Sequence, residues 1–281
     1  MTHQERSRLG LPDRLPGRQT DGIRTASDVG MTLVQVPQWE SFSWLVHGFS
    51  TRLGGVSTCY GGHDLNLGFT AEDDRVRVEA NRAHVLTELH AGGHLMTARQ
   101  IHGVELQVVS GPCTPVDGDG LLSQTPGVTL GIQVADCVPV LLIDRRLRAV
   151  AAVHAGWRGT VEGIAARAAE RMRAEFGSRA DDLEAAIGPS IGQCCYQVGD
   201  EVRDRFLACW PDAQELFEDG RLDLWEANRR QLLGAGVSKV WVAGDCTACS
   251  RTGEGARKYF SYRAEAGKTG RAMGVVGIAS L

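Results

Sequence analysis

Residues 128–159 read Val-Thr-Leu-Gly-Ile-Gln-Val-Ala-Asp-Cys-Val-Pro-Val-Leu-Leu-Ile-Asp-Arg-Arg-Leu-Arg-Ala-Val-Ala-Ala-Val-His-Ala-Gly-Trp-Arg-Gly, and they decide the fold class. Three short apolar runs lie within them, at 128–134, 138–143 and 149–153, each of strand length and rich in Val, Ile and Leu. An Ala-rich segment follows, which predicts a helix over 160–176 with Thr160 as N-cap and Gly177 as its stop. Upstream, a strand is expected at 32–36 and another at 104–109. Between them a helix is expected at 73–89, with Val76, Ala80, Ala83 and Leu86 on one face. Downstream come strands at 183–187, 239–242 and 274–278 and helices at 199–209 and 222–233. Strands and helices mix without strict βαβ alternation, so the expectation is a mixed α/β (α+β) domain rather than an eightfold barrel.

The chain of 281 residues has room for one large domain or two ordinary ones. From Met31 onward no Pro- or Ser-rich linker interrupts a globular composition, so residues 31–281 are expected to form a single domain. Residues 1–30 carry Arg6, Arg8, Arg14, Arg18 and Arg24 among Pro, Gly, Asp and Ser, with too few large apolar side chains to offset ordering entropy. They are expected to be a flexible arm. Thirty basic against thirty-four acidic residues give a net charge of −4 with no long basic run, which argues against nucleic acid or an anionic membrane as partner. No apolar run approaches the ~18 residues of a membrane span. Eight dispersed cysteines and no signal-like apolar segment at the start point to reduced thiols in a cytoplasm.

Three segments combine borderline metal ligands with turn residues at predicted strand ends: Gln100-Ile101-His102-Gly103, Ala135-Asp136-Cys137-Val138-Pro139 and Val153-His154-Ala155-Gly156-Trp157-Arg158-Gly159. Two imidazoles and one thiolate suit zinc, and three protein ligands leave a fourth position for water or substrate, the pattern of a catalytic rather than a structural site. The same residues admit other readings. Cys137 in an apolar run is also a small buried hydrophobe, and His154 a hydrogen-bonded histidine at a strand end. Cys137 as nucleophile with His154 as base is a third, oriented by a carboxylate. Side chains alternate along a strand, so Asp136 and Cys137 are not expected to share a face, and Asp119 is the better partner.

A longer series of motifs is similar to the YfiH-like family. It comprises the stretch from His47-Gly48-Phe49-Ser50-Thr51-Arg52 to Ser57, Asn66-Leu67-Gly68, Asn81-Arg82, the three segments above, Ala186-Ile187-Gly188-Pro189 and Cys194-Cys195-Tyr196-Gln197-Val198-Gly199. Asp223-Leu224, Asn228, Gln231-Leu232, Cys246-Thr247, Phe260-Ser261-Tyr262-Arg263 and Thr269-Gly270-Arg271 continue it. The family carries an old label as multicopper polyphenol oxidoreductase or laccase and is understood as purine nucleoside phosphorylases with adenosine deaminase activity. The resemblance implies a layered α/β/β/α architecture, and zinc held by His102, Cys137 and His154, with copper as the alternative ion. It also implies purine nucleosides (adenosine, inosine, methylthioadenosine) and phosphate as substrates. Asp64, Gln193 and Gln197 depart from the family's usual residues, none within the metal trio.

Within that reading Asp119 is expected to orient a ligand histidine, and His47 and Asn66 to contact the nucleoside. Phosphate calls for guanidinium or backbone N–H donors, for which Arg52 before Gly54-Gly55 and Arg158 after His154 are the candidates. A laccase needs clustered His-X-His pairs, and the sequence has none. Gly267-Lys268-Thr269 lacks the glycine a phosphate loop needs five positions earlier, where Tyr262 stands. Cys246-Thr247-Ala248-Cys249 lacks an evident second pair, and Cys194-Cys195 are adjacent, so both are expected to be packing residues. Two further functions stand beside the phosphorylase: a cysteine hydrolase or amidase acting on peptidoglycan precursors through Cys137 and His154, and a non-catalytic nucleotide- or partner-binding protein.

Overall fold

Apolar runs that do not alternate with polar residues belong to strands covered on both faces, and the three runs at 128–155 behave in this way. The computed structural model describes residues 23–25, 31–237 and 239–280. Its strands are β1 (Ile23–Thr25), β2 (Thr32–Val34), β3 (Leu45–Ser50), β4 (Leu53–Ser57), β5 (His94–Thr97), β6 (Leu106–Val108), β7 (Gly120–Ser123) and β8 (Val128–Val134). They continue with β9 (Val138–Asp144), β10 (Ala149–Ala155), β11 (Leu183–Ile187), β12 (Phe217–Glu218), β13 (Arg221–Leu222), β14 (Lys239–Val242) and β15 (Ala272–Ile278). The helices are α1 (Arg75–Glu88), α2 (Trp157–Val161), α3 (Ile164–Phe176), α4 (Asp200–Cys209) and α5 (Leu224–Gly234).

Two six-stranded mixed sheets result, in the orders β1-β2-β3-β15-β8-β5 and β14-β11-β9-β10-β7-β6. In β9, Val140 and Leu142 face a core completed by Ile164, Ala168, Met172 and Leu232 of the helices, while Leu141 and Ile143 face Leu130, Ile132 and Val276 of the other sheet. Each such side chain contributes about 1.5–3 kcal/mol on full burial. On the far side of the first sheet, Val85 and Leu89 pack with Leu33, Val46, Met273 and Val275. The order is therefore helix, sheet, sheet, helix, the layered mixed α/β fold that the motifs imply. No helix among the described residues is long and apolar enough to cross a membrane.

Three details differ from the sequence reading. The predicted helix 160–176 is broken at Gly163, whose φ of 85° lies in the left-handed region that a side chain disfavours. Thr160 therefore caps nothing; it sits in α2 and accepts from Asn228 Nδ2 at 3.1 Å. The buried face of α1 is Val78, Asn81 and Val85, while Val76 is 70% exposed. Apolar counting missed it because Asn81 faces inward: its Nδ2 donates to Ser57 Oγ and to Asn66 O, and its Oδ1 accepts from Val56 N. Finally, β3, β4, β5 and β7 lie outside the strands expected from the sequence; in β3, His47 and Gly48 interrupt the apolar pattern. Of the expected arm, Ile23–Thr25 pairs antiparallel with β2; residues 1–22 and 26–30 lie outside the described residues.

Candidate metal centre

Strand register assembles the centre. In the β9–β10 pair, Val138 faces Ala155 and Pro139 faces His154, so Cys137, one step before β9, arrives beside the end of β10. In the β7–β10 pair Val153 faces Gly120, which sets Asp119 beside His154, and the His154 N–H donates to Asp119 O at 2.7 Å. Parallel pairing of β6 with β7, Leu106 against Gly120, brings in the segment carrying His102. One ligand atom from each of His102, Cys137 and His154 comes within 4.8 Å of the others.

Asp119 is the hub of this arrangement and has no solvent exposure. Its Oδ1 accepts from His154 Nδ1 at 2.8 Å and from the His102 N–H at 3.0 Å. Its Oδ2 accepts from the N–H groups of Gly103 at 2.7 Å and Ile101 at 3.2 Å. Burial would raise this carboxyl, but the donors from His154, Gly103 and Ile101 outweigh it and hold the group below its ordinary value. They also hold His102 in a left-handed conformation, φ 58°. With Nδ1 of His154 committed to Asp119, its Nε2 remains for the cluster. The rings of His102 and His154 meet edge to face, centroids 4.9 Å apart.

Gly156 forms the floor. A Cβ there would stand 3.2 Å from both Cys137 Sγ and His102 Nδ1. Burial opposes ionisation of Cys137, yet the neighbouring His154 and His102 bring its thiol down to about 6. Burial likewise opposes charge on His154, and Cys137 and Asp119 reverse this, raising the ring to about 9. A thiolate, two imidazoles, a carboxylate behind one imidazole and a side-chain-free cradle match the donor set that zinc takes in catalytic sites.

The rim supplies cations and an aromatic ring. Arg158, exposed, lies over the Trp157 ring at 4.5 Å and forms no ion pair among the described residues. Arg263 lies over Tyr196 at 5.3 Å and donates to Gln197 O at 2.8 Å. Burial, then the charges of Cys137 and Asp136, push the Tyr196 hydroxyl up to about 12 against the opposing pull of Arg263 and Arg158. Tyr196 and Arg263 stand in motifs quoted from the sequence, but nothing in residue type or spacing assigned them a role at this site.

Three candidates are engaged elsewhere. His47 is buried in β3, where its Nε2 accepts from the Val36 N–H at 3.1 Å and its ring packs edge-on against Trp39. It has no face left for a nucleoside. Arg52 is spent internally on Asp64 at 2.9 Å, Glu265 at 3.0 Å and Tyr60 O at 2.9 Å, which leaves no free fork for phosphate. Asp64, the departure noted above, is thus the partner of a buried arginine. Asn66 is fully buried, donating to Gly68 O and Asp73 Oδ2 and accepting from the N–H groups of Gly68 and Arg271. Asp136 lies in a turn with φ 88°, not in a strand, and accepts from Thr247 Oγ1 and the Arg263 N–H, each at 2.7 Å.

Residues 46–279 match the family described as multi-copper polyphenol oxidoreductase laccase. The solved structure of the hypothetical protein YfiH from Bacillus licheniformis superposes with a TM-score of 0.79 at 33% identity, over 91% of this chain and 98% of that one. The chain belongs to the YfiH-like family. Among YfiH-like relatives, a purine nucleoside phosphorylase of Deinococcus radiodurans is 39% identical over 253 residues, 89% of this chain and 94% of that protein. Adenosine deaminase RL5, from an unknown prokaryotic organism, is 32% identical over 78% of this chain and 88% of its own length.

Proposed function

We propose that the chain is a zinc-dependent purine nucleoside phosphorylase with adenosine deaminase activity, acting on adenosine, inosine and methylthioadenosine. The observation that carries this reading is the Asp119-braced trio beside Arg158, whose guanidinium has no ion pair among the described residues, in a chain similar over most of its length to a protein named purine nucleoside phosphorylase. His102, Cys137 and His154 would hold the ion, and when bound it supplies Lewis acidity to the substrate or water in the remaining position.

The chain's own residues account for the rest. Phosphorolysis forms a bond from a phosphate oxygen to the anomeric carbon and breaks the bond from that carbon to the purine. Arg158 and Arg263 orient the phosphate through charge-assisted hydrogen bonds. Tyr196, half-buried beneath Arg263, lines the wall against which the base or sugar would rest. Asp119 keeps His154 in one tautomer and in place. Deamination adds water to the purine and releases ammonia in the same site, with no demand on the phosphate groups. Zinc-loaded protein given adenosine and phosphate should therefore yield adenine and ribose 1-phosphate, and inosine without phosphate. Absence of all three products overturns the reading.

The Cys137 thiol beside His154, itself backed by Asp119, also supports a second reading as a cysteine hydrolase or amidase on peptidoglycan precursors. Metal-free activity that disappears on alkylating Cys137 favours it, and one equivalent of zinc held by Cys137 counts against it.

A further inference from the structure

The sequence presents Cys194-Cys195 and Cys246-Thr247-Ala248-Cys249 as unrelated pairs, 51 positions apart or more. The fold brings all four sulfurs within 4.8 Å of one another. The loop that follows β11 and the loop that follows β14 run side by side: Ser190 N donates to Asp245 O at 3.3 Å, and Thr247 N donates to Ser190 O at 3.0 Å. Cys194 and Cys195 sit in a turn, where consecutive side chains need not diverge as they do in a strand. None of the eight cysteines is in a disulfide.

We propose that Cys194, Cys195, Cys246 and Cys249 form a second zinc site, a structural tetrathiolate that staples these two loops together. It rests on residues outside the trio and does not depend on the activity proposed above.

Three observations support it. First, four thiolates about 2.3 Å from a tetrahedral zinc ion stand about 3.8 Å from each other, and Cys194 Sγ lies 3.8 Å from Cys249 Sγ. An iron–sulfur cluster, with several metal and sulfide atoms between its ligands, would hold the cysteines further apart. Second, the Gly192 N–H points at Cys246 Sγ at 3.3 Å, a backbone donor to a ligand sulfur. Third, the charge is matched. Four thiolates around Zn²⁺ leave a net −2, and Arg251 and Arg257 each donate to the carbonyl of Ala248, inside the Cys-x-x-Cys turn, at 3.3 and 3.1 Å. Four ligand sulfurs bind the ion as thiolates. Binding releases the remaining thiol protons to solvent.

The staple would bear on the first site through its neighbours. Tyr196 directly follows Cys195, and Thr247, between the other two cysteines, donates to Asp136 beside Cys137. Such a site would fix the wall that carries Tyr196 without touching the reacting atoms.

The test loads reduced full-length protein with cobalt(II) and reads the optical spectrum, alongside zinc content by elemental analysis. The expected result is the intense sulfur-to-cobalt charge-transfer absorption of a tetrathiolate. It should persist when His102 and His154 are both replaced by Ala, and vanish in the Cys246→Ser/Cys249→Ser variant, which should carry one zinc fewer per chain. If that variant fails to fold, the His102→Ala/His154→Ala protein still decides, because it should retain one equivalent of zinc. A His102→Ala/His154→Ala protein without metal, or Cys194, Cys195, Cys246 and Cys249 all freely alkylated in zinc-saturated protein, overturns the proposal. So does a Cys194–Cys249 disulfide whose reduction brings no metal uptake.

Discussion

Two groups of side chains able to ligate a metal occur among the described residues and are built in opposite ways. The trio of His102, Cys137 and His154 stands at the end of a sheet, and each member is positioned by strand register or by the buried carboxylate of Asp119. The four cysteines hang on two loops whose backbones exchange a few hydrogen bonds, and Cys194 and Cys249 are exposed. The trio is preorganised by the fold and, holding the proposed ion, would leave a coordination position open. The other has a closed set of four ligands and relies on the ion to hold the loops. Register fixes the strand ends that carry the trio before any ligand arrives, whereas the cysteine loops would gain order from what they bind.

Breaking the trio should have the largest effect. His154→Ala removes a proposed ligand and should lower phosphorolysis and deamination together by about 10³-fold or more, several kcal/mol of lost stabilisation. Steady-state rates with zinc-saturated protein check this, and the tetrathiolate cobalt spectrum should be untouched. A histidine in neither cluster sharpens the contrast. His47 has its pKa lowered to about 4, chiefly by burial, so the folded state resists the proton that the unfolded chain takes up near 6.5. Its contribution is full above pH 6.5 and is lost as the pH falls from there toward 4, about 3 kcal/mol in all. Urea midpoints at pH 7 and pH 4.5 should show this loss in the parent protein, and His47→Gln, which keeps an acceptor for the Val36 N–H without a titrating ring, should show less of it.

Asp119→Asn tests whether preorganisation is what separates the two sites. It should weaken zinc binding at the trio by about 10–100-fold, read by chelator competition, and leave the cysteine cluster's affinity unchanged. Equal weakening of both sites would erase the distinction. Arg158→Ala should have the smallest effect, raising KM for phosphate by about tenfold with little change in deamination, which needs no phosphate; a parallel loss of both activities would place Arg158 in the shared machinery instead.

Much of the trio and of the central strands was legible before folding. The strands at Val128–Val134, Leu183–Ile187 and Lys239–Val242 begin and end where the sequence places them, because each is rich in apolar residues; the first two are buried on both faces, while the last is a partly buried edge strand. Asp119 was also within reach, as a carboxylate available to a histidine at a strand end. The inward face of α1 was not, because Asn81 is buried by hydrogen bonds that only the adjoining loops supply. Arg52 and Asn66 carry residue types that suit phosphate and sugar, and nothing local announces that Asp64, Glu265 and Asp73 already occupy them.

By itself the sequence determined what depends on local pattern and residue chemistry: the class of fold, most of the central strands, and the side chains able to bind a soft or borderline metal. Tertiary structure alone decided which of those side chains meet. It set Asp119 beneath His154 through the register of β7 on β10, turned His47 into a buried acceptor, and brought two cysteine pairs from distant loops within reach of a single ion. The physical reason is that ligand geometry and desolvation depend on distances between segments far apart in the chain, which sequence spacing does not encode and packing does.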